Sequence, residues 1–330
     1  MAEWSGIGLQ NLSRRFDPAR DLLRLYYSQY NMKQTERLRL LITLILLLAT
    51  AEAMAQNAAR PPKVLVVMAH PDDESMMSVT LYKIAREQHG RVDLFVITNG
   101  EAGYKYSTLA EQFYGVKLTD EKDGRSRLPA LRKRELKNAG RILGVSNYYF
   151  ADQRDNKFCL DEKASLDSCW NLPVVKAKLL KMLKDNHYDF VFSVLPEEAE
   201  HGAHKAATLV ALNIVAMLPA SQRPVILGGY VTKDTDSIIR FPGYKDYAET
   251  KVLNDTALYQ VDRNASFSYN NRLNYKVITN WEIAEHKTQG ATQMTMNEGD
   301  KEAFWIFSQN DPSSTNQCDA LFKTLAITPK

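Results

Sequence analysis

The chain has 330 residues, 45% of them hydrophobic and 25% charged, with a formal charge of +3. That is ordinary globular composition, with enough apolar material for a substantial core. No basic stripe with interleaved aromatics is present, which argues against nucleic acid as a partner.

The first residues carry an address. From Met32 a basic stretch runs to Arg39, followed by an apolar run over 40–49 and then by Ala53-Met54-Ala55-Gln56. This is the layout of a secretory signal peptide, and the apolar run falls short of the ~20 residues of a spanning helix. The expectation is export, periplasmic or secreted, with cleavage after Ala55 and no stable membrane span afterwards. An uncleaved anchor and a buried helix of a cytosolic protein are the competing readings. A leader normally starts a chain, so residues 1–31 point to Met32 as the initiator. Residues 56–62 read as a polar linker ending in proline.

Val64 to Ala69 form a continuous apolar run, the mark of a strand buried on both faces of a parallel sheet. Met77, Leu81, Ile84 and Ala85 then predict a helix over 76–88, and residues 92–98 predict a second buried strand. Residues 104–128 are polar with scattered tyrosines and read as a surface excursion. A helix is predicted over 129–143, with Pro129 in its first turn and Gly144 past its end. A short strand over 148–150 leads to Asp152, followed by a helix over 173–186, a strand over 190–194, a helix over 203–218 and a strand over 225–227. Such alternation argues for an α/β fold, a mostly parallel sheet with helices on both faces. A helix near 275–289 and a covering extension over 290–330 complete the expected organisation. Cys159 and Cys169 lie ten residues apart in a polar loop, either bonded or as two free thiols, and Cys318 is left over.

His70-Pro71-Asp72-Asp73-Glu74 emerges directly from the first strand, where open α/β sheets bind their ligands. One imidazole and three carboxylates there can hold a divalent metal and leave a carboxylate over for proton transfer. A second cluster, His201-Gly202-Ala203-His204, opens the helix after the fourth strand, and positions three apart share a helix face. If the two strand exits are neighbours, His70, Asp73 and His204 converge on one ion. Mixed imidazole and carboxylate ligation suits zinc, and three protein ligands leave a position open for water. Asp72 is then the spare base. His201, if protonated, would stabilise an oxyanion and protonate the leaving amine. These features indicate a metal-dependent hydrolase.

Ala69-His-Pro-Asp-Asp-Glu74 after a strand, with a downstream His-x-x-His, resembles the PIG-L/LmbE family of zinc-dependent de-N-acetylases. Thr98-Asn-Gly100, Arg132-x-x-Glu135-Leu136, Asp152 and Ala284-Glu-His-Lys-Thr-Gln289 agree with it, so the similarity spans roughly 63–289. The resemblance implies a Rossmann-like three-layer sandwich and the removal of acetyl from an N-acetylated amino sugar or sugar conjugate. It implies Zn2+ on His70, Asp73 and His204, Asp72 as general base and His201 as the group polarising the tetrahedral intermediate. It also puts Arg132, Asn99, Asp152 and His286 at the substrate, the last closing the pocket or supporting a ligand from behind, with an exposed polar helix end as the competing reading. Tyr104, Tyr106, Phe113 and Tyr114 either face a sugar ring or pack the excursion onto the domain. One departure stands out: many bacterial members read His-Pro-Asp-His where this chain has His201-Gly-Ala-His204, and Glu197, Glu198 or Glu200 must do the work of the missing aspartate. The rivals are a magnesium or manganese phosphoester hydrolase and a non-catalytic carbohydrate-binding protein on the same fold.

Overall fold

In a computed structural model the described residues are 41–43 and 60–328. The chain divides into two units, Met1–Arg60 and Pro61–Lys330. Of the first unit, residues 41–43 and Arg60 are described, and 41–43 are helical. The leader expected over 32–55 and the segment 1–31 before it otherwise lie outside the described residues. Among the described residues, no helix is long and apolar enough to cross a membrane.

The second unit is built on strands β1 (Lys63–Met68), β2 (Arg91–Thr98), β3 (Asn147–Gln153), β4 (Phe190–Val194), β5 (Val225–Thr232) and β6 (Tyr259–Asp262), a small hairpin of β7 (Ser266–Phe267) with β8 (Leu273–Asn274), and β9 (Lys301–Ile306). The main helices are α1 (Ser78–Tyr82), α2 (Thr108–Tyr114), α3 (Glu121–Leu143), α4 (Leu172–Asn186), α5 (Gly202–Ala216), α6 (Lys276–Glu285) and α7 (Ser314–Leu325). Seven strands form one sheet in the order β3-β2-β1-β4-β5-β9-β6. The first five are parallel, and β9 runs antiparallel to both β5 and β6.

The period of two along β1 sorts its side chains between two cores. Val64, Val66 and Met68 pack with Val79 and Leu81 of α1, Leu136 and Leu143 of α3, Ile278 of α6 and Phe322 of α7. Leu65 and Val67 pack with Leu179 and Leu183 of α4 and with Ala207, Val210 and Ala211 of α5. The result is a Rossmann-like three-layer sandwich, with each fully buried Val or Leu contributing about 1.5–3 kcal/mol of transfer free energy. Chain order reverses between β1 and β4, and at that switch point such sheets open a crevice at the carboxyl ends of their strands.

Three expectations need correction. α3 begins eight residues before Pro129, because the Asp120 carboxylate accepts the N–H groups of Lys122 and Asp123 and starts the helix there. The excursion over 104–128 consequently holds α2 and the first turns of α3, with Tyr104, Ala110, Leu118 and Leu128 in a small core of their own. The segment 290–330 is no covering extension: β9 lies inside the sheet with Phe304 and Trp305 buried, and α7 packs Leu321 and Phe322 into the core. Cys159 and Cys169 are free thiols, whose sulfurs lie against the carbonyls of Asp161 and Arg154 respectively.

Candidate metal centre

Beyond β1 the chain turns at once, the N–H groups of Asp72 and Asp73 donating to the His70 carbonyl at 3.0 and 3.4 Å. Asp73 folds back under that turn. Its Oδ2 accepts the backbone N–H groups of Ala69 and His70, both at 2.8 Å, which leaves Oδ1 facing outward. β4 pairs in parallel with β1, so its exit loop comes up alongside and delivers His201 and His204 on the first turn of α5.

Three donor atoms meet there. His204 Nε2 stands 3.0 Å from Asp73 Oδ1 and 3.0 Å from His70 Nδ1, and His70 Nδ1 stands 3.4 Å from Asp73 Oδ1. The outer ring nitrogens are anchored: His70 Nε2 bonds Asp155 Oδ1 at 3.1 Å and His204 Nδ1 bonds Glu200 Oε1 at 2.7 Å. An ionised carboxylate only accepts, so each outer nitrogen carries the proton and each inner nitrogen of a neutral imidazole presents a lone pair. Two lone pairs and a carboxylate oxygen aimed at one point repel one another unless a cation sits between them. Ligand bonds of about 2.0–2.1 Å at a tetrahedral angle separate donors by about 3.3 Å, close to the triangle found here. The donor set therefore fits zinc, and the anchoring carboxylates are the usual partners of metal-bound imidazoles.

The electrostatics make the same demand for positive charge. Burial opposes ionisation of His70, yet Asp155 and Asp73 outweigh it and raise the imidazole to about 9. Burial works against His204 as well, and Asp73 and Glu200 hold it well above its ordinary value. Asp73 is kept well below the carboxylate range, against its own burial, by His204 and His70. His201 is the exception. Burial, reinforced by the neighbouring His70 and His204, lowers it to about 3, so it is neutral here rather than protonated, and its Nε2 is buried without a partner.

Residues 65–215 match the family model PIG-L, described as GlcNAc-PI de-N-acetylase. These residues form a PIG-L domain. The chain is 22% identical over 179 residues to a probable N-acetyl-alpha-D-glucosaminyl L-malate deacetylase 2 of Bacillus cereus, covering 54% of this chain and 72% of that protein. It is 23% identical over 248 residues to the protein of the same description from Bacillus anthracis, covering 75% of this chain and 96% of that one. Among solved structures, it is similar to N,N'-diacetylchitobiose deacetylase from Pyrococcus horikoshii, with 16% identity, a TM-score of 0.46 and coverage of 85% of this chain and 95% of that one.

Around the PIG-L centre opens a cavity of about 610 Å³ whose wall includes His70, Asp72, Asp73, Arg132, His201 and His204. Asp72 is held from two sides, by Arg132 Nη2 at 2.5 Å and by the Thr292 hydroxyl at 2.6 Å. Arg132 also donates to the carbonyls of Gly100 and Pro71, at 2.5 and 3.3 Å, so both terminal nitrogens hold the Asp72 turn while Nε is buried without a partner. Of Glu197, Glu198 and Glu200, it is Glu200 that bonds a histidine of the second cluster.

Three residues expected at the substrate stand elsewhere. Asp152 is exposed and pairs with Lys133, because the register of β3 against β2 shifts near its end and turns this residue outward at φ 58. Asp155, three residues on, is the carboxylate that turns in, and no local pattern marked it. Asn99 is absent from the cavity wall; its backbone N–H bonds the Gln153 carbonyl and its Oδ1 is buried. His286 is fully buried behind the centre, bonded to Glu74 and Glu282, and is not part of that cavity's wall.

Proposed function

We propose that this protein is a zinc-dependent hydrolase that releases acetate from an N-acetylated amino-sugar conjugate. The observation that carries the proposal is the triangle of His70, Asp73 and His204, whose histidines are anchored from behind so that three lone pairs converge. Relatives described as deacetylases of an N-acetylglucosaminyl conjugate supply the substrate class. Two imidazoles with one carboxylate favour zinc over magnesium, which prefers oxygen throughout.

Zinc bound there supplies a Lewis acid that brings a water pKa down to about 7 and polarises the amide carbonyl. The remaining work falls to side chains. Asp72, fixed by Arg132 and Thr292 in the cavity wall, takes the proton from water as its oxygen adds to the acetyl carbon. When the C–N bond breaks, that proton passes to the departing amine, so acetate and a free amino sugar leave. His201 lies flat on His70 with a ring nitrogen unsatisfied, and it binds the acetyl oxygen as charge builds there. The basic, apolar and small-residue pattern over 32–55 supports action outside the cytoplasm.

The test is acetate release from a panel of N-acetylglucosamine derivatives, with and without a chelator, together with metal analysis of the purified chain. Acetate release that a chelator stops and zinc restores is expected. Absence of acetate from every N-acetylated sugar, or turnover of phosphoesters with magnesium in its place, would overturn the assignment.

A further inference from the structure

The imidazole of His201 is covered on both faces. On one side His70 stacks on it with ring centroids 5.0 Å apart and 9° between planes; on the other Phe158 does so at 5.0 Å and 21°. Three rings thus form a continuous stack from a metal-facing histidine to the mouth of the cavity. The outermost, Phe158, is 71% exposed and lines the cavity. A large apolar ring left this open beside a catalytic centre costs solvation that burial elsewhere would have recovered.

The loop that presents Phe158 is pinned. Asn156 Nδ2 donates to the Ala164 carbonyl at 2.6 Å, Lys157 Nζ to Glu121 at 3.0 Å, and the Cys159 carbonyl accepts the Gly202 N–H at 2.8 Å. Gly202 explains how it comes so near. A Cβ at that position would lie 2.4 Å from the Asp161 carbonyl oxygen and 3.0 Å from the Glu162 nitrogen, so a larger residue would push the loop away. The glycine that departs from the His-Pro-Asp-His pattern is therefore what lets this loop seat an aromatic ring over His201.

We infer that Phe158 is a platform for a second sugar ring of the substrate, next to the N-acetylated one. This rests on the deacetylase assignment and narrows it to a glycan of two or more sugars. Pyranose rings offer an apolar C–H face that lies flat on an aromatic ring, the geometry Phe158 leaves free. The cavity volume of about 610 Å³ lies within the roughly 300–1,000 Å³ usual for small-molecule sites. Charge argues for a neutral neighbour over a carboxylate such as malate. Each Lys and Arg among the described residues of the wall is already paired: Arg132 with Asp72, Lys233 with Glu298 and Arg263 with Glu302.

The experiment compares the zinc-loaded full chain with its Phe158→Ala and Phe158→Trp variants. Acetate release is measured on N-acetylglucosamine and on N,N'-diacetylchitobiose, and binding of the deacetylated monosaccharide and disaccharide by calorimetry. Phe158→Ala should lower the disaccharide-over-monosaccharide ratio of kcat/KM by about tenfold, the scale of one aromatic contact, through KM. Phe158→Trp should restore it. An unchanged ratio, or an equal fall in kcat on both substrates, would overturn the platform and leave Phe158 as a prop for His201. Disaccharide binding that weakens about tenfold in Phe158→Ala, in a chain that releases no acetate, would keep the platform and overturn the reaction.

Discussion

His70 and His286 are both buried imidazoles flanked by carboxylates, and both lean on residues 70–74; they differ in how their nitrogens are used. At His70 one nitrogen is tied to Asp155 and the other is free to point, with that of His204, toward the cavity. At His286 a single nitrogen is shared by Glu74 at 2.7 Å and Glu282 at 3.1 Å, while Nδ1 is buried without a partner. All three members of this second cluster are fully buried. Burial pushes the Glu282 carboxyl up to about 8, with Glu74 adding to the push, although His286 pulls the other way. His286 is held well above its usual value by the same two carboxylates, against its burial. The same residue types thus make a convergent donor set where the outer nitrogens are anchored and the inner faces open, and a sealed strut where protons are shared inward. The strut ties the residue after Asp73 to α6.

Replacing His204 by alanine should break the open cluster outright. Metal content by mass spectrometry and acetate release should both fall to background, and a variant that retained a full equivalent of zinc would sink the ligand assignment. Asp72→Asn should keep that zinc yet lower kcat by about 10²–10⁴-fold, the range of general base catalysis.

The sealed cluster should respond in stability instead. His286→Ala leaves two carboxylates buried without their imidazole, a loss of about 3–5 kcal/mol in denaturant unfolding, with metal still at one ion per chain. Two ions in the wild type and one in this variant would erase the contrast, since these three groups also lie close enough to hold a cation. A milder change, Glu200→Gln, should weaken zinc affinity by about 10–100-fold in a competition titration, because it releases the outer nitrogen of His204.

The smallest effect concerns pH. Glu282 and His286 both keep their protons in the folded chain at pH values where the unfolded chain loses them. Raised folded values contribute stability at low pH that drains as pH rises, from about 4.5 upward for the carboxyl and from about 6.5 upward for the imidazole. Melting temperatures of the wild type should therefore fall between pH 5 and 8 more steeply than those of Glu282→Gln, whose amide cannot ionise. Parallel curves would show that Glu282 titrates as it does in the unfolded chain.

Much of the framework was legible because it rests on local period. The apolar run of β1, buried on both faces, and the His-x-x-His at the start of α5 are written in adjacent residues. Where a tertiary partner decided, local rules misled. Pro129 marked a helix start that Asp120 had already made. Residues 290–330 read as a covering extension, yet β9 pairs inside the sheet between β5 and β6. The resemblance put Asp152 and His286 at the substrate by their place in the sequence, which does not say which way a side chain turns. A register shift in β3 turned the one outward, and the packing of α6 sealed the other inside.

From residue order alone follow the donor types, their spacing and their emergence at the ends of buried strands, since each depends on neighbours a few positions away. That His70 and His204, 134 positions apart, face one point depends on β4 pairing beside β1. Choosing Asp155 over Asp152 as an anchor, and reaching Thr292 back to Asp72, likewise needed distant segments packed together. Such contacts are set by strand order, register and helix packing, which are properties of the whole fold and leave no periodic trace in the segments they join.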